Sequence, residues 1–264
     1  MHRRIISSGW ISLGILGVVL FLGIAQSYAG PGVDRVKKAG VLKVGSDITY
    51  PPFEYMEGDK PVGFDVDLAN AIAKELGVRL EYINTSWDGI FAALKAGKFD
   101  MLLSGITITE ERKKAFDLAF SDPYFLSGQG VAVRKGEKHI QKEDDLQGKV
   151  VGVQINTTGQ YATEKIAGVK EIKKYETLPE AYIDLAAGRV EAVVADYPVI
   201  ADNVKNNDKI ELVEGLKLGE PEALGIPVRT EEKDLLEVVN KVIQDLKASG
   251  EYDEMVQKWF GASK

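Results

Sequence analysis

The chain has 264 residues, 45% of them hydrophobic, with two histidines, no cysteine and a formal net charge of −7. An acidic chain with scattered charges is not built to bind nucleic acid or an anionic membrane surface. No cysteine means no disulfide, and with His139 as the only histidine beyond the first few residues a transition-metal site is not expected.

The first segment reads as a secretory signal peptide over residues 1–29. His2, Arg3 and Arg4 open it, an apolar stretch follows from Ile11 to Ala25, and Ser27-Tyr28-Ala29 supplies the small residues a signal peptidase reads. It is too short and wrongly flanked for a lasting membrane span. With no cysteine to carry a lipid, a free exported protein is expected, retained in a periplasm. Val41–Gly45 then predicts a strand. Asp65–Leu76 predicts an amphipathic helix with Leu68, Ile72 and Leu76 on one face, ended by Gly77. Leu80–Ile83 is a strand, Ser86 is placed to cap a helix through Leu94, and Phe99–Leu103 is the next strand. Thr109 is placed to cap a short helix over Glu110–Phe116. That puts Arg112 in the first helical turn, where a cation is disfavoured unless an anion offsets it. Gly130–Arg134 reads as a short strand and Gly136–Leu146 as a charged loop.

The pattern then recurs. Lys149–Gln154 predicts a strand and Gly159–Ala167 a helix. Thr177-Leu-Pro-Glu180 is a capping box that launches a helix through Ala187, and Val190–Ala195 is a strand. The run from Ala93 to Ser104 matches the run from Asp184 to Ala195 in order: helix end, glycine, basic residue, hydrophobe, acid, apolar strand. Two similar α/β units are therefore expected, with largely parallel sheets. Gly225–Arg229 is a second short apolar segment before a long amphipathic helix over Glu231–Ala248. Two crossings between the same units make a two-strand hinge near 130–134 and 225–229. The first lobe is then discontinuous, 30–131 with 228–264, and the second is 132–227.

In open α/β sheets ligands sit beyond the carboxyl ends of the strands. Those ends carry Asp47 and Tyr50 after the first strand, Ser104, Gly105 and Thr107 with Arg112 after the third, and Gln154, Thr158 and Asp196 in the second unit; Trp87 sits in the turn after Ser86. Read singly, Asp196 also fits a helix N-cap before Tyr197-Pro198, Thr158 a cap, Trp87 and Tyr50 core, and Asp47 a turn. Read together, they supply what an α-amino acid needs. An Arg fork clamps a carboxylate, an isolated acid takes an ammonium, and aromatic faces wall the side chain.

With those residues in place, the chain resembles the extracellular solute-binding proteins, family 3, of polar amino-acid ATP-binding cassette importers. The matching phrases run in order from Gly45-Ser-Asp-Ile-Thr-Tyr-Pro-Pro-Phe53 and Gly63-Phe-Asp-Val-Asp-Leu-Ala69 through Ser104-Gly-Ile-Thr-Ile-Thr-Glu-Glu-Arg112 to Lys258-Trp-Phe-Gly261. The resemblance implies an α/β, bilobal periplasmic-binding-protein fold of type II, closing on one free L-amino acid and delivering it to an inner-membrane permease. It implies a monomer, with no cofactor, no metal and no catalysis. By motif position Arg112, Gly105, Thr107 and Thr158 resemble the family's carboxylate site and Asp196 its ammonium site. Asp47, Tyr50 and Trp87 look like side-chain-pocket residues. Asn156 departs from the family's usual glycine. Asp47 disfavours an acidic ligand and Gln154 offers a donor and an acceptor, so glutamine, arginine, lysine or histidine is expected. Two other classes stay open: a ligand-binding module for a separate sensor, and a periplasmic dehydratase on the same scaffold.

Overall fold

Pro31 in the first turn and Gly40 in the left-handed region start and stop helix α1 (Pro31–Ala39). The computed structural model describes residues 30–261, so the signal peptide read over 1–29 lies outside the described residues. Strand β1 (Val41–Ser46) follows, then a hairpin of β2 (Tyr55–Glu57) and β3 (Lys60–Val62). Helix α2 (Phe64–Leu76) buries Leu68, Ile72 and Leu76 as its spacing predicts, and Gly77 at φ 70° ends it. Strand β4 (Arg79–Asn84) pairs parallel to β1 from Arg79 opposite Val41 to Asn84 opposite Ser46.

The next helix starts later than expected. Gly89 takes φ 87°, so Ser86 does not cap it, and α3 spans only Ile90–Lys95. Trp87 instead turns inward and packs edge-on against Phe91, 5.6 Å between ring centres. Strand β5 is shorter than the expected 99–103. It keeps Met101–Leu102, parallel to β1 on the side away from β4, while the N–H groups of Asp100 and Leu103 extend the pairing to Lys43 and Gly45 carbonyls. Thr109 caps α4 (Glu110–Phe116) through Arg112 N, as read from the sequence.

Strand β6 (Leu118–Phe120) leads to β7 (Phe125–Arg134), longer than the segment expected from 130. Then come β8 (Val150–Gln154), α5 (Thr158–Glu164), β9 (Glu171–Tyr175), α6 (Leu178–Ala186), β10 (Ala192–Asp196) and α7 (Tyr197–Asn206). The capping box of α6 is present as predicted. Helix α5 stops short of the expected Ala167, with Lys165 as its C-cap. Strand β11 (Ile210–Leu224) has no counterpart in the sequence reading. Its alternation is broken by Gly215, Gly219 and Pro221 and by two register shifts, and its partner β7 lies far away in the chain. Strand β12 (Pro227–Arg229) pairs with β6, and helices α8 (Lys233–Ser249) and α9 (Glu251–Phe260) close the fold.

The two larger sheets are β4-β1-β5 and β11-β7-β10-β8-β9, beside the two-stranded pairs β12-β6 and β2-β3. Helices α1 and α2 pack on the first and α8 and α9 pack against α2; α5, α6 and α7 pack on the second. Strands β7 and β11 run antiparallel from Phe125 opposite Leu224 to Arg134 opposite Ile210. Their lower ends touch the first lobe, where Thr107 bridges Leu224 and Ser121 N donates to Ile226 O. The molecule is therefore bilobal, and the parallel strands β1, β5 and β8, with β10, end at one interlobe cleft. Among the described residues no helix is long and apolar enough to cross a membrane.

Candidate functional site

A cavity in the cleft is lined by all ten residues singled out in the sequence: Asp47, Tyr50, Trp87, Ser104, Gly105, Thr107, Arg112, Gln154, Thr158 and Asp196. Capping brings Arg112 there. Thr109 holds the first turn of α4, and the guanidinium turns back so that Nη1 donates to Thr107 O at 2.8 Å. The group lies 5.3 Å from the ring centre of Trp87 and 5.2 Å from that of Phe91. These faces favour a desolvated cation. Arg112 is only 6% exposed, and burial holds its pKa below the usual guanidinium value, partly offset by the charge of Glu222. Among the described residues, the Thr107 carbonyl is the hydrogen-bond acceptor for a fork with N–H groups to spare.

Asp196 closes β10 at the N-cap position of α7, yet its side chain makes no capping hydrogen bond. It turns into the cavity instead. Oδ2 accepts from Tyr50 OH at 2.7 Å, and Oδ1 from Ser127 Oγ at 3.0 Å and Gln129 Nε2 at 3.1 Å. Burial pushes its pKa up to about 6, and the Tyr50 hydrogen bond works against that rise. Thr158 is likewise not a cap. Thr157 accepts from Gln160 N and caps α5, which leaves Thr158 as the first helical residue with its hydroxyl 3.4 Å from that of Thr107 across the cleft. Asn156, the departure from the family loop, takes φ 58°. Asn tolerates this region better than most residues, so the loop keeps the shape a glycine would give. It also reaches the opposite lobe, where its carbonyl accepts from Trp87 Nε1 at 3.3 Å and its amide donates to Asp88 at 3.0 Å.

Asp47 lies at the other end of the cavity. Its Oδ2 accepts from Gln154 Nε2 at 2.7 Å and its Oδ1 from Thr49 Oγ1 at 2.8 Å, while burial raises its pKa. Ser104 lies at the cavity floor: its hydroxyl donates to Glu54 Oε1 at 2.8 Å and accepts from Asp47 N at 3.0 Å. Gly105 takes φ 55°, and a Cβ there would lie 3.2 Å from the Tyr50 ring. Its N–H donates to Asp65 Oδ2 at 2.9 Å.

Two groups escaped the sequence reading. Gln129, 2% exposed on β7, donates to both Asp196 and Glu222. Its signal was available: a lone amide beside the apolar run that ends β7. Glu222 accepts from Thr107, Thr158 and Gln129. It left no signal, because β11 was not legible as a strand. The buried pair Glu54 and Asp65 lies below the floor. Burial, then the charge of Asp65, pushes Glu54 well above the carboxylate range, and burial lifts Asp65 to about 7. Both folded-state values are raised, so the stability these groups contribute is present below the ordinary carboxylate pKa and is lost as pH rises through the raised values.

One buried cation, two buried acids and hydroxyls from both lobes thus face a single cavity. Residues 42–262 match the family described as bacterial extracellular solute-binding proteins, family 3. The chain is 37% identical over 255 residues to the L-cystine-binding protein TcyJ of Escherichia coli (strain K12), an overlap of 95% of this chain and 94% of that protein. A solved mutant of ArgBP from T. maritima superposes with a TM-score of 0.82 at 40% identity, covering 88% of this chain and all of that one (100%). An ancestral arginine-binding protein bound to glutamine superposes with a TM-score of 0.79 at 44% identity, covering 84% of this chain and 99% of its own. The chain belongs to the bacterial extracellular solute-binding proteins, family 3.

Proposed function

We propose that this protein captures one free L-amino acid with a polar or cationic side chain and delivers it to an inner-membrane ATP-binding cassette permease. The observation that carries the reading is the convergence of buried Arg112 and buried Asp196 on one cavity, with threonine hydroxyls from both lobes beside them. In this reading Arg112, Thr107 and Thr158 hold the α-carboxylate and Asp196 with Tyr50 holds the α-ammonium, while Gly105, whose N–H is taken by Asp65, serves the site by leaving room for the Tyr50 ring. Asp47, Trp87, Ser104 and Gln154 surround the side chain. Asp47 and Gln154 favour glutamine, arginine, lysine or histidine over an acidic amino acid. The lobes proposed are 30–131 with 228–264 and 132–227, closing about the β7–β11 pair; the protein acts as a periplasmic monomer after loss of residues 1–29. No chemical step is proposed, since the charged groups of the cavity serve to hold the two charged ends of the ligand. Ligand stabilises the closed form through the contacts that only that form offers.

The test is thermal unfolding of residues 30–264, refolded to strip carried-over ligand, against the twenty amino acids and L-cystine. A ligand at a thousand times its Kd stabilises by about 4 kcal/mol, which for a chain of this size is roughly 8–16 °C. Such a rise is expected with glutamine or a basic amino acid. No rise with any compound would break the reading, and a calorimetric preference for glutamate over glutamine would break the side-chain assignment.

The elevated pKa of Asp196 gives a second expectation. The ammonium needs the carboxylate form, which is lost in the free protein as pH falls through about 6. Affinity is expected to be flat above pH 7 and to fall by up to about tenfold per pH unit below 6. Calorimetry between pH 5 and 8 measures this, and a flat profile counts against Asp196 as the ammonium site.

A further inference from the structure

The proposed function leaves Glu222 without a role, although its carboxylate is held as firmly as any group in the cleft. Its backbone is fixed beside Thr107. Ile108 N donates to Ala223 O at 2.8 Å, Gly225 N donates to Ile106 O at 2.9 Å, and Thr107 bridges Leu224. From there Glu222 Oε2 accepts from Thr158 Oγ1 at 2.7 Å, from Thr107 Oγ1 at 2.8 Å and from Gln129 Nε2 at 3.2 Å. One oxygen therefore gathers a hydroxyl from the first lobe, a hydroxyl from the second and an amide from β7.

These are the same two hydroxyls that the amino-acid reading assigns to the ligand's α-carboxylate. A threonine hydroxyl has a single proton to donate. While both protons point at Glu222, neither hydroxyl donates to a ligand. A second carboxylate brought among the same donors also meets the charge of Glu222 in a partly desolvated cleft, where like charges repel more strongly than in water. Glu222 thus has the sign and the chemistry of the group the ligand brings.

We propose that Glu222 is a built-in competitor for the carboxylate site: it latches the lobes together through Thr107 and Thr158 and must release both hydroxyls before a bound amino acid takes them. The inference rests on the amino-acid reading above. Its consequence is an affinity set below what Arg112 and the hydroxyls alone would give. The latch favours a closed arrangement that bars entry, and apparent affinity falls with the fraction of molecules able to bind. Release is eased in turn, because Glu222 stands beside the hydroxyls ready to take them back.

The experiment compares wild type with Glu222→Gln and Glu222→Ala. The side chain is half-buried, so both variants are expected to fold; a single cooperative thermal transition checks this, at a somewhat lower temperature for the loss of the latch's hydrogen bonds. The glutamine variant keeps the size and an acceptor but removes the charge. Calorimetry uses L-arginine and agmatine, which has the same side chain but no carboxylate. L-arginine is expected to bind the alanine variant at least about tenfold more tightly than wild type, the scale of losing hydrogen bonds to a charged competitor, and the glutamine variant by a smaller factor. Agmatine is expected to gain by a smaller factor than L-arginine, because it shares the easier entry to the opened cleft but not the freed hydroxyls. Small-angle scattering of the stripped proteins is expected to give a larger radius of gyration for the alanine variant, as the latch opens. The proposal is overturned by weaker L-arginine binding in the variants, by an equal gain with agmatine, or by superimposable scattering curves. Absence of heat with L-arginine in all three proteins counts against arginine as the ligand, and the scattering comparison then decides the latch by itself.

Discussion

Arg112→Ala is expected to abolish binding of every free L-amino acid at concentrations that saturate wild type, a loss of at least about 100-fold. The group is 6% exposed, stacked against Trp87 and Phe91, and tied by one hydrogen bond to Thr107 O. Its remaining N–H groups form a planar fork suited to a carboxylate. Truncating one partner of a buried, hydrogen-bonded charge pair costs about 2–5 kcal/mol, and here the loss falls on the part that all amino acids share. The effect is therefore independent of side chain, unlike that of a change at Asp47. Alanine also removes the stem that fills the space beside Trp87 and Phe91, so Arg112→Met, which keeps an apolar stem, separates packing from charge. Met is expected to restore thermal stability and not binding. Arg112→Lys keeps the charge without the fork and should bind weakly. Wild-type affinity in the alanine variant, measured by calorimetry, would falsify the carboxylate assignment.

Gly63→Ala is expected to have the largest effect on stability of any single methyl addition considered for this fold. Gly63 takes φ 137° ahead of α2, and a Cβ there would lie 2.0 Å from Phe53 O, 2.5 Å from Phe53 C and 2.9 Å from Glu54 N. All three atoms are backbone, so no side chain can rotate away. The Phe53 carbonyl also receives one of the first N–H groups of α2: Asp65 N donates to it at 2.9 Å, beside Phe64 N, which donates to Pro52 O at 3.0 Å. Moving the Phe53 carbonyl disturbs the start of the helix and the Glu54–Asp65 pair under the cavity floor. Backbone strain of about 1–3 kcal/mol and overpacking of a similar size together predict a loss of about 4 kcal/mol. That corresponds to a melting-temperature fall of roughly 8–16 °C for a chain of this length. Gly58→Ala is the control. Gly58 also has positive φ, at 60°, but nothing lies within 4 Å of the added Cβ, so only the conformational strain should appear. Equal melting temperatures for the two variants would show that contact with Phe53 is not the cause.

The elements that followed a local rule were legible from the chain. The stripe Leu68, Ile72, Leu76 with Gly77, the capping box at Thr177 and the Thr109 cap all reappear in the structure where the pattern put them. Ser86 misled because a capping residue is informative only if the next turn is helical, and Gly89 in the left-handed region delays that turn. Strand β11 was invisible for a different reason. Its residues alternate poorly and gain their strand form from β7, with Phe125 paired to Leu224. No window of sequence around 210–224 contains that partner.

The candidate site divides along the same line. The kinds of groups present, an Arg fork, isolated acids, hydroxyls and aromatics at strand ends, were determined by the sequence, because strand ends of an α/β unit are set by local periodicity and turns. The matched phrases set the family in the same way. What each group does was decided by its partner. Asp196 at an N-cap position is a cap in sequence and a cavity acid in space, because Tyr50, Ser127 and Gln129 come to it from other elements. Glu222 meets Thr107 and Thr158 only when β11 lies against both lobes. Hydrophobic periodicity is a property of neighbouring residues, whereas hydrogen-bond partnership and burial of a charge are properties of distant ones. The first can be read along the chain; the second exists only after the lobes and the strands that join them have packed.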